Sequence, residues 1–233
     1  MMKVYDAHGT QLDITVGVEA RLKNHSWSIL GDSISTDIGT IPGVNNIKYW
    51  VWINERVGGM DVYNYGVSGT RVTNFTQRYS DMHYSDIITV FGGVNDWGQS
   101  GPTPLGEFGD STNSTFYGAL DILCSGLLTS FPKSLVIFIT PLGNGGFSNW
   151  PTDENSLGLT IYDYADAIIN VCAKYKIPVI DACRSSLLNA KIEAIKTECF
   201  KDGVHPNNHG HEVLSWLIED EMLKHYIPSI SET

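Results

Sequence analysis

Apolar residues recur along the chain in two alternating rhythms. Short runs at Trp27–Leu30, Val62–Val67, Ile87–Phe91, Leu135–Ile139 and Pro178–Asp181 read as strands. Those at Ile87 and Leu135 are apolar enough to be covered on both faces. Between them the period lengthens. Asn46–Val57 places Ile47, Trp50, Val51 and Val57 at helical spacing. Phe116, Leu120, Leu123, Leu127 and Leu128 form an i, i+3, i+4 stripe that predicts a helix over 115–131. Ile161, Tyr164, Ala165, Ile168, Ile169 and Cys172 mark another, and Val213, Leu214, Leu217 and Ile218 a closing helix over Asn208–Tyr226.

Strands alternating with helices predict a parallel sheet with helices on both faces: a three-layer α/β/α sandwich of flavodoxin-like type, with five strands. Residues 1–24 read as an N-terminal appendage, in which Lys3–Tyr5 and Leu12–Val16 pair across the turn Asp6–Gly9 as a short β-hairpin. Residues 25–233 then form one domain. Ligands of such sheets sit beyond the carboxyl ends of the strands, so the segments that follow those ends matter most. Two are long, Gly98–Ser114 and Pro141–Gly158, and loops of that length are mostly functional or disordered.

The 233 residues are enough to bury a core without a metal or disulfide. Lys and Arg number 15 against 26 Asp and Glu, a formal charge of −11. With no basic run, this disfavours nucleic acid or an anionic membrane as a partner. The longest apolar runs, Tyr49–Ile53 and Leu135–Ile139, are too short to span a bilayer. The first twenty residues lack a continuous apolar stretch, so a cytoplasmic location is the default expectation, with export by another route or attachment to a larger assembly left open. The four cysteines include no C-x-x-C pair. Cys124 and Cys172 fall on apolar helix faces. A Cys183–Cys199 bridge stays open, and reduced thiols are the expectation.

Ser33 follows the first strand of the domain, in Gly31-Asp-Ser33, and is expected to open a helix with its own N–H facing outward. A serine nucleophile needs a base. His205 is the best candidate, just before the last helix, and Asp202 lies one turn earlier, where a carboxylate orients an imidazole and stabilises its charged form. Three donors could hold a developing oxyanion: the N–H of Ser33, the N–H of Gly69 and the side-chain amide of Asn95, each after a different strand.

At these residues the chain resembles the SGNH (GDSL-type) hydrolases. The blocks stand in order as Leu30-Gly-Asp-Ser-Ile34, Asn64-Tyr-Gly-Val-Ser-Gly69, Gly92-Gly-Val-Asn-Asp96 and Asp202-Gly-Val-His-Pro206. The resemblance covers 30–206. It implies the same sandwich fold, ester hydrolysis without metal or organic cofactor, Ser33 as nucleophile, Asp202 and His205 as its partners, and Gly69 and Asn95 at the oxyanion.

Other readings compete residue by residue. Ser33 alone would be a helix N-cap and Asn95 an Asx-turn residue. Asp32 and Asp96 read as supports for their turns. Ser35 and Ser68 rival Ser33 by composition only. His205, His209 and His211 cluster in sequence but lack H-E-x-x-H spacing, so no metal is expected. Trp27, Trp50, Trp52 and Trp216 read as core. Trp97 and Trp150 lie in the overhanging loops, as a stacking platform for substrate or as packing for their loops. The expectation is a serine esterase acting on small acyl, above all acetyl, esters, with a small molecule or an oligosaccharide as the ester substrate. A lipid acylhydrolase is the alternative within the class. A non-catalytic binding or structural module of a surface or phage-like assembly is the alternative outside it. Nothing in the sequence sets the oligomeric state.

Overall fold

The computed structural model describes residues 4–5, 11–12, 21–36, 47–143 and 154–226. Near the N-terminus, β1 (Val4–Tyr5) and β2 (Gln11–Leu12) pair antiparallel, Val4 opposite Leu12. The extension of the second strand to Val16 lies outside the described residues. The packed body begins before residue 25, because Leu22 is fully buried and the Asn24 amide donates to the Gly59 carbonyl at 2.8 Å.

The main sheet holds β3 (Ser26–Gly31), β4 (Asp61–Gly66), β5 (Ile87–Phe91), β6 (Leu135–Ile139) and β7 (Val179–Ile180). All are parallel, in the spatial order β4-β3-β5-β6-β7. Strand alternation divides the core in two. Trp27, Ile29, Ile87, Phe91, Ile137 and Ile139 face α1 (Tyr49–Arg56) and α7 (Asn208–His225). Leu30, Ile88, Val90, Val136 and Phe138 face α2 (Val72–Phe75), α4 (Phe116–Ser130) and α5 (Ile161–Tyr175). A polar residue in a fully buried strand needs a partner, and Thr89 finds one in the Trp27 indole, whose N–H donates at 2.9 Å.

Three short helices interrupt segments without a long apolar stripe: α2, α3 (Val94–Gly98) and α6 (Glu193–Cys199). Trp216 departs from the expected core position. It is 54% exposed on α7 and lies against the Arg56 guanidinium, 3.8 Å from its ring centre, while Arg56 pairs with the buried Glu219 carboxylate. Cys124 and Cys172 are buried between α4 and α5 with their sulfurs 4.0 Å apart, and all four cysteines are free thiols. The open bridge between Cys183 and Cys199 is not formed.

The strand order reverses at β3, between its neighbours β4 and β5, which places the ligand crevice of such a sheet beyond the ends of these strands. Two glycines bring the chain close there. A Cβ on Gly66, the last residue of β4, would fall 2.6 Å from the Thr36 amide nitrogen, so only glycine lets β4 end against the turn after β3. A Cβ on Gly210 would fall 2.0 Å from the Cys199 carbonyl, so the start of α7 rests directly on the segment before it.

Candidate active site

Ser33 does not open a helix among the described residues. It sits in a tight turn in which the Asp32 carbonyl accepts from the amides of Ser35 (3.2 Å) and Thr36 (3.0 Å). The Asp32 carboxylate accepts from the Ile34 amide at 3.0 Å. It is a local side-chain bond of the kind that fixes Asx-turns and helix N-termini alike. From β4, the Asn64 side chain donates to the Ser35 carbonyl at 2.8 Å, and from α1 the Trp50 indole does so at 3.1 Å. Lys48, just before α1 and 5% exposed, donates to the Ser33 carbonyl at 3.2 Å. Its ammonium is pushed down to about 8 by burial and by the neighbouring charge of Lys201.

The segment before α7 is a narrow loop. The Lys201 amide donates to the His205 carbonyl and the Asn207 amide to the Cys199 carbonyl, both at 2.9 Å. Inside it, one Asp202 oxygen accepts from the amides of Val204 (2.9 Å) and His205 (2.7 Å). The other oxygen lies 2.8 Å from Nδ1 of the His205 ring. Burial raises the Asp202 carboxyl, but the His205 amide and ring and the Val204 amide outweigh it and hold the group below its usual range. An ionised carboxylate only accepts, so Nδ1 carries the proton and Nε2 presents a lone pair. That nitrogen lies 2.9 Å from the Ser33 hydroxyl oxygen. Ser33, His205 and Asp202, separated by up to 172 positions, therefore form one hydrogen-bonded chain.

The two candidate oxyanion amides, those of Ser33 and Gly69, donate to no protein acceptor among the described residues. Gly69 has φ 76°, a conformation that favours glycine. Asn95 is buried rather than beside solvent. Its amide nitrogen donates to the Thr70 carbonyl at 2.9 Å and lies 3.3 Å from an Asp32 carboxylate oxygen. Its oxygen accepts from Gln99 at 2.9 Å.

The competing readings resolve at several residues. Ser35 is buried, its hydroxyl 2.9 Å from the Tyr49 hydroxyl. His209 and His211 fall in the first turn of α7 as expected; His211 is buried and stacks on Tyr49, whereas His209 is exposed beside Glu198 and Glu212. No group of three His, Cys, Asp or Glu among the described residues could hold a metal ion. Trp97 does not offer a ring face for stacking. It is 3% exposed in α3, its indole N–H donating to the Leu159 carbonyl at 2.9 Å, so it packs the loops together. Trp150 lies outside the described residues. Residues 99–114 contain no helix, and Gln99, Ser100, Gly101, Pro102, Asn155 and Ser156 line a polar crevice of about 360 Å³; it reaches Asn95 and Gly69 only through Gln99, which bonds to both.

Three contributors escaped the sequence reading: Asn64, Lys48 and Gln99. Asn64 stood in a quoted block without a role. Gln99, four residues after Asn95, shares a helix face with it by spacing alone. A lone lysine ahead of an apolar helix in an acidic chain was the only sign of Lys48.

Asp96 ties this region together. Its carboxylate accepts from the Val72 amide and the Thr103 hydroxyl, both at 2.9 Å. Burial pushes the carboxyls of Asp32 and Asp96 up to about 6, against the bonds they accept. A folded-state pKa above the unfolded one favours the fold fully below about pH 4, and that contribution is lost as pH rises through 6. A shift of this size corresponds to roughly 3 kcal/mol per group. Asp96→Asn is therefore expected to flatten the fall of Tm between pH 4 and 7, read by calorimetry; an unchanged pH slope would remove Asp96 as its source.

A doubly wound sheet with a hydroxyl, an imidazole and a carboxylate aligned beyond its carboxyl edge fits acyl transfer to serine. Residues 29–213 match the family described as GDSL-like Lipase/Acylhydrolase, and the chain belongs to that family. It is a carboxylic ester hydrolase. Among solved structures, a protein from Lactobacillus plantarum is 30% identical, with 88% of this chain and 99% of that one covered at a TM-score of 0.78. A possible lipase from Chitinophaga pinensis is 21% identical over 86% of this chain and 98% of that one, with a TM-score of 0.73. An acetylxylan esterase from Geobacillus stearothermophilus is 19% identical over 87% and 96%, with a TM-score of 0.59. The last two show likeness of fold alone. No curated protein sequence matches the chain. No helix among the described residues is long and apolar enough to cross a membrane.

Proposed function

We propose that the protein is a serine esterase that cleaves short acyl esters, above all acetyl, of polar alcohols such as carbohydrates. The observation that carries this reading is the chain from the Ser33 hydroxyl through His205 to Asp202, at 2.9 and 2.8 Å. The Ser33 oxygen attacks the ester carbonyl while Nε2 of His205 takes its proton. The imidazolium is held by Asp202 and returns the proton to the departing alcohol. Water, activated by the same nitrogen, then attacks the acyl-enzyme and releases the acid. The amides of Ser33 and Gly69 and the side chain of Asn95 stabilise the negative oxygen in both steps. For Asn95 this means sharing the hydrogen now aimed at Asp32, the longer of its two bonds at 3.3 Å.

The polar crevice that Gln99 links to Asn95 supports a hydroxyl-rich alcohol, and the sparse large apolar residues of 99–114, Leu105 and Phe108, favour a short acyl chain. Each buried CH₂ contributes about 0.8 kcal/mol, so a chain-binding enzyme gains steeply with length. A series of p-nitrophenyl esters from acetate to decanoate, followed by acetylated oligosaccharides, tests the reading. The expected kcat/KM is highest for acetate, with acetylated oligosaccharides cleaved in turn. A steady rise to C8 or beyond would establish the lipid acylhydrolase reading instead.

A further inference from the structure

We propose that Gln99 is a positioning residue that sets the oxyanion site and joins it to the polar crevice; the inference rests on the esterase reading above. Gln99 follows α3 directly. Its side-chain amide has two hydrogens and uses both, one on the Gly69 carbonyl and one on the Asn95 side-chain oxygen, each at 2.9 Å. One side chain thus holds the two oxyanion contributors that come from different strands, Gly69 after β4 and Asn95 after β5.

The consequence at Asn95 is geometric. With its oxygen bound by Gln99, its nitrogen must face Thr70 and Asp32, which is the orientation in which the amide donates. At Gly69 the bond anchors a turn that is otherwise exposed and in a glycine-favouring conformation, and Gln99 lies directly over it: a Cβ there would be 3.8 Å from the Gln99 nitrogen. The Gln99 oxygen has no protein partner among the described residues, and the residue lines the crevice together with Ser100 and Asn155. It is therefore placed to accept from a hydroxyl of the bound alcohol while its nitrogen holds the oxyanion donors. Gln99 touches no reacting atom; it acts through Gly69 and Asn95.

Two substitutions of similar length test this in the full chain. Gln99→Met removes both donated bonds, and its kcat on p-nitrophenyl acetate is expected to fall about tenfold with KM within twofold. Gln99→Glu sets a carboxylate against the Gly69 carbonyl and the Asn95 oxygen, and its kcat is expected to fall about a hundredfold at pH 8. Inhibition by an aryl trifluoromethyl ketone, which adds the serine and carries an oxyanion, should weaken by the same factor as kcat in each variant. Wild-type kcat in both variants, or a loss confined to KM, would overturn the proposal, as would a kcat loss with unweakened ketone inhibition. Ser33→Ala is assayed alongside: if it retains activity, the esterase reading itself has failed, whereas an inactive Ser33→Ala beside fully active Gln99 variants sinks the role of Gln99 alone.

Discussion

Ser33→Ala is expected to lower kcat for p-nitrophenyl acetate by roughly 10⁴–10⁶, with little change in thermal stability. The hydroxyl is hydrogen-bonded only to the His205 ring among its described partners, so its removal leaves the surrounding turn intact. His205→Ala should cost about as much, because the proton acceptor and the attacking oxygen act in one step. The double variant should be no worse than either single one, since half of a pair has nothing left to lose. Asp202→Asn should retain more activity, as it alters the orientation and tautomer of the ring rather than removing the ring. Losses that multiply in the double variant would show that Ser33 and His205 do not act together, and the assignment would fall.

Asn95→Ala is the second large effect. A donor that strengthens as the carbonyl becomes an oxyanion is worth about 10²–10³ in kcat with KM little changed. Because Asn95 is buried and bonded to Thr70 and Gln99, its loss also leaves those groups short of partners. A stability cost of about 1–3 kcal/mol accompanies it. Rates must therefore be taken per folded molecule, with denaturant titration run in parallel. An effect confined to KM would assign Asn95 to ground-state binding, and a stability loss with full kcat would leave it a turn residue.

The bounds of β5 and β6 were legible to the residue, because a short run that is apolar throughout, or broken only by a β-branched Thr89, has one good reading in an alternating chain. Helices α4, α5 and α7 were legible from their stripes, and Ser33, Asp202 and His205 from the blocks that hold them. What escaped has a common physical origin. Helices of four to seven residues, such as α2, α3 and α6, bury too little for a periodic stripe to emerge. The turn at Ser33 is decided by the Asp32 side chain and by donors from Asn64, Trp50 and Lys48, which are remote or sit beyond the turn. Trp97 took the second of its two expected roles, packing its loop, whereas Trp216 left the core, because an indole is apolar enough to fill a loop and flat enough to cover a guanidinium, and sequence spacing does not choose between them.

The loop from Cys199 to Asn207 closes on itself through two backbone bonds and contains both the carboxylate and the imidazole. The hydroxyl belongs to a separate turn across the sheet edge. Gentle heating that loosens the seating of α7 would thus move acid and base as one piece and break the single 2.9 Å contact to Ser33 first. Inactivation should precede melting, with a downfield Nδ1 proton resonance persisting in protein that no longer reacts with a fluorophosphonate. The wear point of this catalyst is the gap between two sound parts, and a stabilising substitution aimed at the α1–α7 contact would extend working lifetime more than one aimed at the far face of the sheet.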